Sequence, residues 1–447
     1  MVSLRKYILK DLHLKELFKG SFIAFMFKIF AVILSYLFFF FFAKFYGAQG
    51  LGVFNTCFTV LILSTVIAKL GLDTAIVKYL AEFVANNKTD KIGYLYSISF
   101  VLIFIAGFFV SVFIFLFSED LSELFFENST DENLFKLIAF TIIPFAIIQL
   151  NAEFFRGLKK ITAYSSLQNG TVYLFVLVLI FVFAEHNHTL ETVIYFLLFV
   201  LISLMLLSTF FVIRFNFSER STQVIVLKPK FKLSKRKLLS VSIPMLFSNS
   251  LFLVMSWTDT LFLSAFQGED SVGIYNVALK IASLNTIALI AINSIASPKF
   301  SEIYSSEGSR RFRRIVKQTT LLNWIVSFPI FFIILVFPES ILSIFGSEFI
   351  DGKGALIVLS IGQLISAFSG STMIVLNMTG REKAGRNILL VTVVVNLILN
   401  YILIPKYGIM GAAYATMIST VIWNVISVIF IYKSFGFLTL PISSKKI

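Results

Sequence analysis

The side chains in this sequence that could do chemistry are a few charged residues inside long apolar stretches. Lys28, Asp259 and Lys280 each interrupt a stretch that is otherwise free of charge. A charge in the hydrocarbon layer costs about 2.5–3.5 kcal/mol on insertion scales, so each must have a partner or face a water-filled cavity. Ser21 and Ser35 lie seven residues on either side of Lys28 and share its helix face. We therefore predict that Lys28 binds substrate in a polar cavity; the alternative is a snorkelling or structural pair.

Asp259 and Lys280 lie on either side of a predicted turn that runs from about 266 to 273. Each is seven residues from the turn, which is roughly 10 Å of helix at 1.5 Å per residue. The two side chains therefore lie at the same depth. Two interpretations stay open, a buried Asp259–Lys280 ion pair that holds two helices together and a functional role for each residue, with Lys280 as a substrate ligand.

Two further residues are candidates for binding substrate. Asn249 lies in the polar triplet Ser248-Asn249-Ser250, 221 residues after Lys28, and that offset recurs elsewhere in the chain. Arg156 lies near the predicted cytoplasmic end of a helix. Its spacing from Glu153 favours an i,i+3 ion pair, as the i,i+4 spacing favours a pair between Lys69 and Asp73.

Several classes of chemistry are not expected. Cys57 is the only cysteine, which excludes an intramolecular disulfide and any cysteine-based metal site. His186 and His188 lack a third ligand, so we interpret them as a solvated loop. We find no hydrolytic constellation and expect no catalytic residue, no metal site and no cofactor. Glu119-Asp120, in an acidic loop, is the one weak acid–base candidate for a membrane enzyme.

The elements that must position these residues are membrane helices. The chain has 447 residues, of which 58% are apolar, including 54 Phe, and a soluble core could not absorb that much apolar surface. A crossing needs about 20 apolar residues. Eight charge-free intervals qualify, three more qualify if one buried charge is tolerated, and a last one extends to Arg156. We predict an all-α polytopic membrane protein with twelve transmembrane helices. The eight intervals are 45–68, 92–118, 161–184, 192–213, 318–338, 354–380, 387–405 and 407–432.

Basic residues predict the orientation of these helices. With loops assigned alternately to two sides, 31 Lys and Arg fall on the side of the N-terminus and 4 on the other. This asymmetry places both termini and the basic linker 214–237 in the cytoplasm. No cleavable signal peptide is visible, since the first apolar run is too long. The net charge of +14 is thus a topology signal, and nucleic acid is not an expected partner.

Internal repetition predicts two halves. Gly47-x-x-x-Leu51-Gly52-Val53-Phe54-Asn55 and Gly268-x-x-x-Val272-Gly273-Ile274-Tyr275-Asn276 are 221 residues apart, and Gly157-x-x-Lys160 and Gly380-x-x-Lys383 are 223 apart. Six spans per half make the repeats parallel. We predict six-helix bundles at 1–225 and 226–447, with substrate bound between them.

The chain resembles a known family along nearly its whole length. The resemblance is carried by Leu70-Gly71-Leu72-Asp73-Thr74-Ala75, by Ser256-Trp257-Thr258-Asp259-Thr260, by Gly273 through Ala282, and by Thr379-Gly380-Arg381-Glu382-Lys383. It continues through Asn396-Leu397-Ile398-Leu399-Asn400, Ile404-Pro405, Tyr407-Gly408-Ile409, Gly411-Ala412-Ala413 and Ala415-Thr416. These segments are similar to those of bacterial polysaccharide flippases, the Wzx-like branch of the superfamily that also holds drug antiporters and the peptidoglycan-precursor flippase.

The resemblance implies a fold and a function. The fold is a V-shaped pair of six-helix bundles that alternates between inward-open and outward-open states. The substrate is a polyprenyl-pyrophosphate-linked oligosaccharide, carried from the cytoplasmic to the outer leaflet of the bacterial inner membrane. A cationic residue such as Lys28 suits the pyrophosphate. Besides this substrate and membrane lipids, the partners implied are a coupling sodium ion or proton, or a polysaccharide polymerase that pulls the reaction forward.

The peptidoglycan-precursor flippase also implies a cation site. Asp259 matches its seventh-helix acid, Asn396 and Asn400 match two polar residues four apart on the eleventh helix, and Thr416 matches a threonine on the twelfth. These oxygens suit a hard cation. Asn400 departs from the pattern because the relative has a second carboxylate there, and Lys280 could neutralise Asp259 instead. A cation-coupled multidrug exporter of the same superfamily and a membrane polysaccharide polymerase or lipid-linked glycosyltransferase are the alternative functions.

Overall fold

Long helices account for nearly all of the described chain. A computed structural model describes residues 12–85, 91–126, 132–167, 169–183, 189–218, 235–306 and 309–441. Every regular element in these ranges is helical, which confirms the predicted all-α fold. A bilayer favours this outcome because a helix satisfies its backbone hydrogen bonds internally where no water can do so. In chain order the helices are α1 (Leu12–Lys69), α2 (Leu72–Ala85), α3 (Ile92–Leu116), α4 (Ser118–Phe125), α5 (Glu132–Gly157), α6 (Ile161–Ser166), α7 (Asn169–Val182), α8 (Leu190–Ser218), α9 (Lys235–Ala282), α10 (Ile287–Ser306), α11 (Ser309–Val336), α12 (Pro338–Ser343), α13 (Lys353–Ser369), α14 (Thr372–Met378) and α15 (Glu382–Phe435).

Eight of these helices are long and apolar enough to cross a membrane, counting the described residues alone. Large apolar side chains stay exposed on them, for example Phe109 at 67% and Leu116 at 70%, as expected of surfaces that face lipid. A long helix that turns back crosses the membrane more than once, so the number of helices does not give the number of crossings. The count of twelve crossings stays a prediction.

Three of the longest helices change direction at a glycine. Gly47 in α1, Gly268 in α9 and Gly408 in α15 have φ of 64°, 76° and 54°. Positive φ is easily accessible to glycine and strained for other residues. Each glycine therefore divides its helix into two arms. Gly47 and Gly268 also share nearly the same ψ, −169° and 174°, as two copies of one repeated motif would.

The chain forms two compact units. Unit 1 comprises Met1–Phe38, Cys57–Leu124 and Asn128–Ser250, and unit 2 comprises Phe39–Thr56, Phe125–Glu127 and Leu251–Ile447. The predicted boundary between residues 225 and 226 stays a prediction. The segment 39–56 packs with unit 2 although it precedes unit 2 by some 200 residues of sequence, and local sequence patterns carry no signal for that packing.

Unit 1 is held together by aromatic packing and by a buried polar network. Asn151 of α5 accepts a hydrogen bond from Tyr96 of α3 at 2.7 Å and donates to Ser208 of α8 at 2.9 Å and to Thr209 at 3.0 Å. Polar side chains that bond across membrane helices each contribute about 0.6 kcal/mol on average. This network therefore fixes the register of three helices.

Unit 2 contains a backbone contact that only glycine permits. A Cβ atom on Gly52 would lie 1.8 Å from the carbonyl oxygen of Glu269, and one on Gly273 would lie 2.0 Å from that of Ala48. The two contacts are reciprocal, because residues 48 and 52 correspond to 269 and 273 at the repeat offset of 221. The second arms of α1 and α9 therefore cross with their backbones in contact.

The turn at Gly47 is capped from the segment between α12 and α13. The Oε1 atom of Glu348 accepts the backbone N–H of Ala48 at 2.6 Å. This N–H would lack a partner at the start of a helical arm, and a carboxylate also interacts favourably with the positive end of the helix dipole. Glu348 thus holds the first turn of the second α1 arm in place.

Candidate functional site

The most elaborate polar site in the described residues surrounds Asp259 in unit 2. Its side chain is only 2% exposed. The Asn400 amide nitrogen donates to Oδ1 at 2.6 Å, and the hydroxyls of Tyr275 and Thr416 both donate to Oδ2. A buried carboxylate is costly unless it is hydrogen-bonded. Three donors on two oxygens satisfy that requirement.

Two bent helices supply all of these side chains. Asp259 lies on the first arm of α9 and Tyr275 on the second, so the bend at Gly268 brings together residues that are 16 positions apart. Asn400 precedes the bend at Gly408 in α15 and Thr416 follows it. Asn396 lies one turn before Asn400, and its Oδ1 accepts a hydrogen bond from Asn400 Nδ2 at 3.3 Å. The structure therefore brings together all four predicted cation ligands.

Tyr275 is the residue of this site that the sequence analysis missed. It is fully buried, and its hydroxyl also lies 3.5 Å from Thr416 Oγ1. Its position within the repeated glycine motif was the available signal. Once the bend is placed at Gly268, Asp259 lies nine residues before it and Tyr275 seven residues after it, so the two lie at similar depth.

The oxygen atoms of this site partly match the needs of a hard cation. Carboxylate, amide and hydroxyl oxygens are the ligands that such cations prefer. Among the described residues, Asn400 Oδ1 and Asn396 Nδ2 are buried without a hydrogen-bond partner. Asn400 directs its nitrogen toward Asp259, so its oxygen joins a cation shell only if the amide turns over. The four predicted ligands thus offer one negative charge and up to five side-chain oxygens, two from Asp259 and one each from Asn396, Asn400 and Thr416.

Lys280 does not pair with Asp259. The contacts of Asp259 within the described residues are the three donors above, and the Lys280 ammonium lies 4.5 Å from the centre of the Phe39 ring. An ammonium over an aromatic face is stabilised by the ring quadrupole. Of the two interpretations left open, the Asp259–Lys280 ion pair is therefore wrong for this structure, because the Lys280 side chain lies against Phe39 of α1.

The two predicted ion pairs near helix ends are confirmed in unit 1. Lys69 Nζ lies 2.7 Å from Asp73 Oδ2 and also donates to Gln149. Arg156 Nε lies 2.7 Å from Glu153 Oε2, and its guanidinium lies 5.5 Å from the centre of the Tyr164 ring. Arg156 is therefore engaged within unit 1, and its role toward substrate stays a prediction.

Some predicted residues lie outside the described part of the chain. The backbones of Lys28 and Asn249 belong to α1 and α9, but their side chains are outside the described residues. Both the backbone and the side chains of His186, of His188 and of the linker residues 219–234 lie outside the described residues. Their predicted roles stay predictions.

A cavity of about 380 Å³ lies beside the Asp259 site within unit 2. It is bordered by both arms of α9, the start of α10, α13, α14 and both arms of α15. Asp259, Asn396 and Thr416 form part of its wall. Its volume falls in the range of about 300–1,000 Å³ that is typical of ligand pockets.

Known proteins resemble the chain in sequence. A family profile described as "Polysaccharide biosynthesis protein" matches residues 17–304, and one described as "MatE" matches 244–402. Capsular polysaccharide biosynthesis protein CapF of Staphylococcus aureus is 24% identical over 301 residues, which cover 65% of this chain and 70% of CapF. A Haloferax volcanii protein named "Probable low-salt glycan biosynthesis flippase Agl15" is 30% identical over 225 residues, 47% of each chain.

Solved structures share the fold. A multidrug resistance MATE family transporter of the MOP superfamily superimposes with a TM-score of 0.75 at 14% identity, covering 91% of this chain and 94% of its own. The lipid II flippase MurJ superimposes with a TM-score of 0.71 at 15% identity, covering 91% and 86%. These likenesses confirm a multi-pass transporter fold. Since the polysaccharide biosynthesis profile matches more than half of the chain, the protein belongs to that family, the Wzx-like polysaccharide flippases of the MOP superfamily.

Proposed function

We propose that this flippase moves a polyprenyl-pyrophosphate-linked oligosaccharide from the cytoplasmic to the outer leaflet of the inner membrane, and that a monovalent cation bound at Asp259 couples to this step. The family and the glycan-related names of its relatives support the substrate class. The excess of basic residues on the predicted cytoplasmic side supports cytoplasmic termini. The observation that carries the coupling proposal is the convergence of Asp259, Asn396, Asn400 and Thr416 on two bent helices.

A cation at this site acts by neutralising the one buried carboxylate. Without it, the charge of Asp259 is balanced, among the described residues, by hydrogen bonds from the second arm of α9 and from both arms of α15. A bound sodium ion balances part of the carboxylate charge and thereby changes which helix arms are hydrogen-bonded to Asp259. A ligand shifts a conformational equilibrium by its difference in affinity for the two states. The glycine bends at Gly268 and Gly408 are where such a change in arm angle is easiest.

The pyrophosphate of the substrate needs cationic or polar partners. Lys28, Asn249, Arg156 and Lys280 are the candidates, and Lys280 is the one whose described side chain lies in unit 2. Its ammonium lies over the Phe39 ring, and hydrogen bonds from an ammonium to phosphate oxygens are among the strong, charge-assisted ones. Lys280 is therefore the first residue to test for substrate binding.

Sodium-dependent stability tests the coupling proposal. Sodium that binds the folded protein alone adds RT ln(1 + [Na⁺]/Kd), about 2.7 kcal/mol at one hundred times the dissociation constant. We expect sodium, compared with choline at equal ionic strength, to raise the unfolding temperature of the parent protein. Asp259→Asn removes this effect, whereas the matched change at an exposed site, Asp351→Asn, keeps it. An unfolding temperature of the parent protein that is the same in sodium and in choline would refute the cation site.

A cation-coupled drug exporter is the second candidate function. The MatE match over residues 244–402 and the likeness to a MATE transporter favour it. The two functions predict different cargo in proteoliposomes that contain the purified protein. We expect translocation of a fluorescent lipid-linked oligosaccharide and no gradient-driven accumulation of ethidium. Ethidium transport without glycolipid transport would establish the second function instead.

A further inference from the structure

The cavity in unit 2 contains hydrogen-bonding groups that the protein itself leaves unused. Among the described residues, Trp423 Nε1 and Asn396 Nδ2 are buried and have no partner. The side chain of Gln363, also in the cavity wall, makes no hydrogen bond to another described residue. Asn293 uses its oxygen to accept from Ser371. Four residues of this cavity wall therefore carry a nitrogen donor group without an acceptor among the described residues.

The charge of the cavity wall limits what those donors can bind. Among the described residues of the wall, Asp259 is the only ionisable one, and none is Lys or Arg. A phosphate group would meet a carboxylate and no basic side chain among these residues, so the wall disfavours anions. An organic cation is also a poor match. It offers no acceptor to Trp423, Asn396 or Gln363, and three donors already occupy the Asp259 carboxylate.

A neutral ligand rich in hydroxyl groups satisfies both conditions. Each hydroxyl accepts from an N–H donor and can donate in turn to an amide or carboxylate oxygen. The apolar part of the wall includes the Trp423 and Phe252 rings, which pack edge to face with centres 5.8 Å apart. The carbon faces of a sugar ring suit such surfaces. Water fills a cavity of this size equally well, so saturable binding is what distinguishes a ligand site.

We propose that the cavity bounded by Gln363, Asn396 and Trp423 is a binding site for an uncharged sugar of the transported glycan. This inference rests on the proposed function, since it takes the glycan to be part of the cargo. It implies that the sugar and the pyrophosphate of the substrate are bound at different places. The cavity of unit 2 holds neutral sugar, and the pyrophosphate requires basic side chains located elsewhere.

Trp423 provides a direct probe of the cavity. The chain has three tryptophans, so Trp257→Phe with Trp324→Phe leaves Trp423 as the only indole. We would titrate this variant in lipid nanodiscs with maltose and lactose as neutral probes. Glucose 1-phosphate serves as the anionic probe and tetraphenylphosphonium as the cationic one. We expect a saturable change in Trp423 emission with a neutral disaccharide and none with the other two.

Two matched variants locate the response. Gln363→Leu removes an unpaired amide from the wall, and we expect binding to weaken about tenfold, the loss of one well-placed hydrogen bond. Asn323→Leu removes a buried amide that also lacks partners but does not border the cavity; binding should be unchanged. Calorimetry on the parent protein replaces fluorescence if the single-tryptophan variant does not fold.

Three results would overturn the inference. They are the absence of saturable sugar binding, equal weakening by Gln363→Leu and Asn323→Leu, and saturable binding of tetraphenylphosphonium in place of sugar. Glycolipid translocation measured in the same preparation separates the two proposals. Translocation without sugar binding refutes the cavity site and leaves the flippase, whereas sugar binding without translocation refutes the flippase.

Discussion

Removing the Tyr275 hydroxyl tests the geometry of the Asp259 site most specifically. Tyr275→Phe keeps the ring and deletes one of three donors to the carboxylate. Both side chains are almost completely buried, at 0% and 2% exposure, so water cannot replace the lost donor. Hydrogen bonds to charged groups contribute about 1.5–3 kcal/mol, whereas polar pairs inside membrane proteins reach about 1.7 kcal/mol at most. We expect a loss of about 1.5 kcal/mol in the free energy of unfolding without sodium.

Sodium should recover part of this loss. The proposed cation ligands do not include Tyr275, which acts as a positioning residue that stabilises the cation-free carboxylate. Losing its hydroxyl therefore destabilises the sodium-free protein more than the sodium-bound one. The stabilisation by sodium is then larger in Tyr275→Phe than in the parent.

Denaturant titration in mild detergent, with sodium or choline, measures both quantities. Tyr401→Phe is the matched control, because Tyr401 is 64% exposed, and a change at such a surface position costs within about 0.5 kcal/mol. An unchanged unfolding free energy for Tyr275→Phe would refute the hydrogen bond to Asp259. A smaller sodium effect than in the parent would instead make Tyr275 a cation ligand.

Three other predictions concern packing, topology and substrate binding. Gly273→Ala should abolish folded protein on size-exclusion chromatography, because its Cβ would lie 2.0 Å from a backbone oxygen. The control Gly436→Ala has nothing within 4 Å of its Cβ and should cost only about 1 kcal/mol of φ strain. Equal yields of the two variants would contradict the close crossing of α1 and α9. Cysteine at Ser234 should resist labelling from outside intact cells while cysteine at the exposed Glu119 reacts, and ready labelling at 234 would overturn the predicted orientation. Lys280→Ala should reduce glycolipid transport at least tenfold with unchanged folding, whereas Lys406→Ala should transport normally; equal transport by both would exclude Lys280 as a substrate ligand.

Sequence reasoning predicted the local features of this protein well. The spacing of Asn396 and Asn400 implies a shared helix face, and the resemblance added Asp259 and Thr416 to the same site. The i,i+4 pair of Lys69 with Asp73 also formed as predicted, because such pairs depend only on helix geometry. Contacts between residues one helical turn apart can therefore be predicted from the sequence.

Features that depend on tertiary packing were not predictable in this way. Tyr275 reaches Asp259 because α9 bends at Gly268. The rotation of the second α9 arm about its axis then places Lys280 over Phe39 instead of beside Asp259. The unused donors of Gln363 and Trp423 meet only when α13 and α15 pack together. Depth in the membrane can be counted along the sequence, but rotation about the helix axis and the choice of neighbour cannot.

Translocation by the purified protein is the most direct test of the account. Proteoliposomes would carry a fluorescent polyprenyl-pyrophosphate oligosaccharide and an inward or outward sodium gradient, with leaflet exposure read by a membrane-impermeant quencher. We expect protein-dependent translocation that changes with the direction of the sodium gradient, that is lost in Asp259→Asn and that is kept in Asp351→Asn. Liposomes in which the glycolipid crosses no faster with the protein than without it would contradict the central claim.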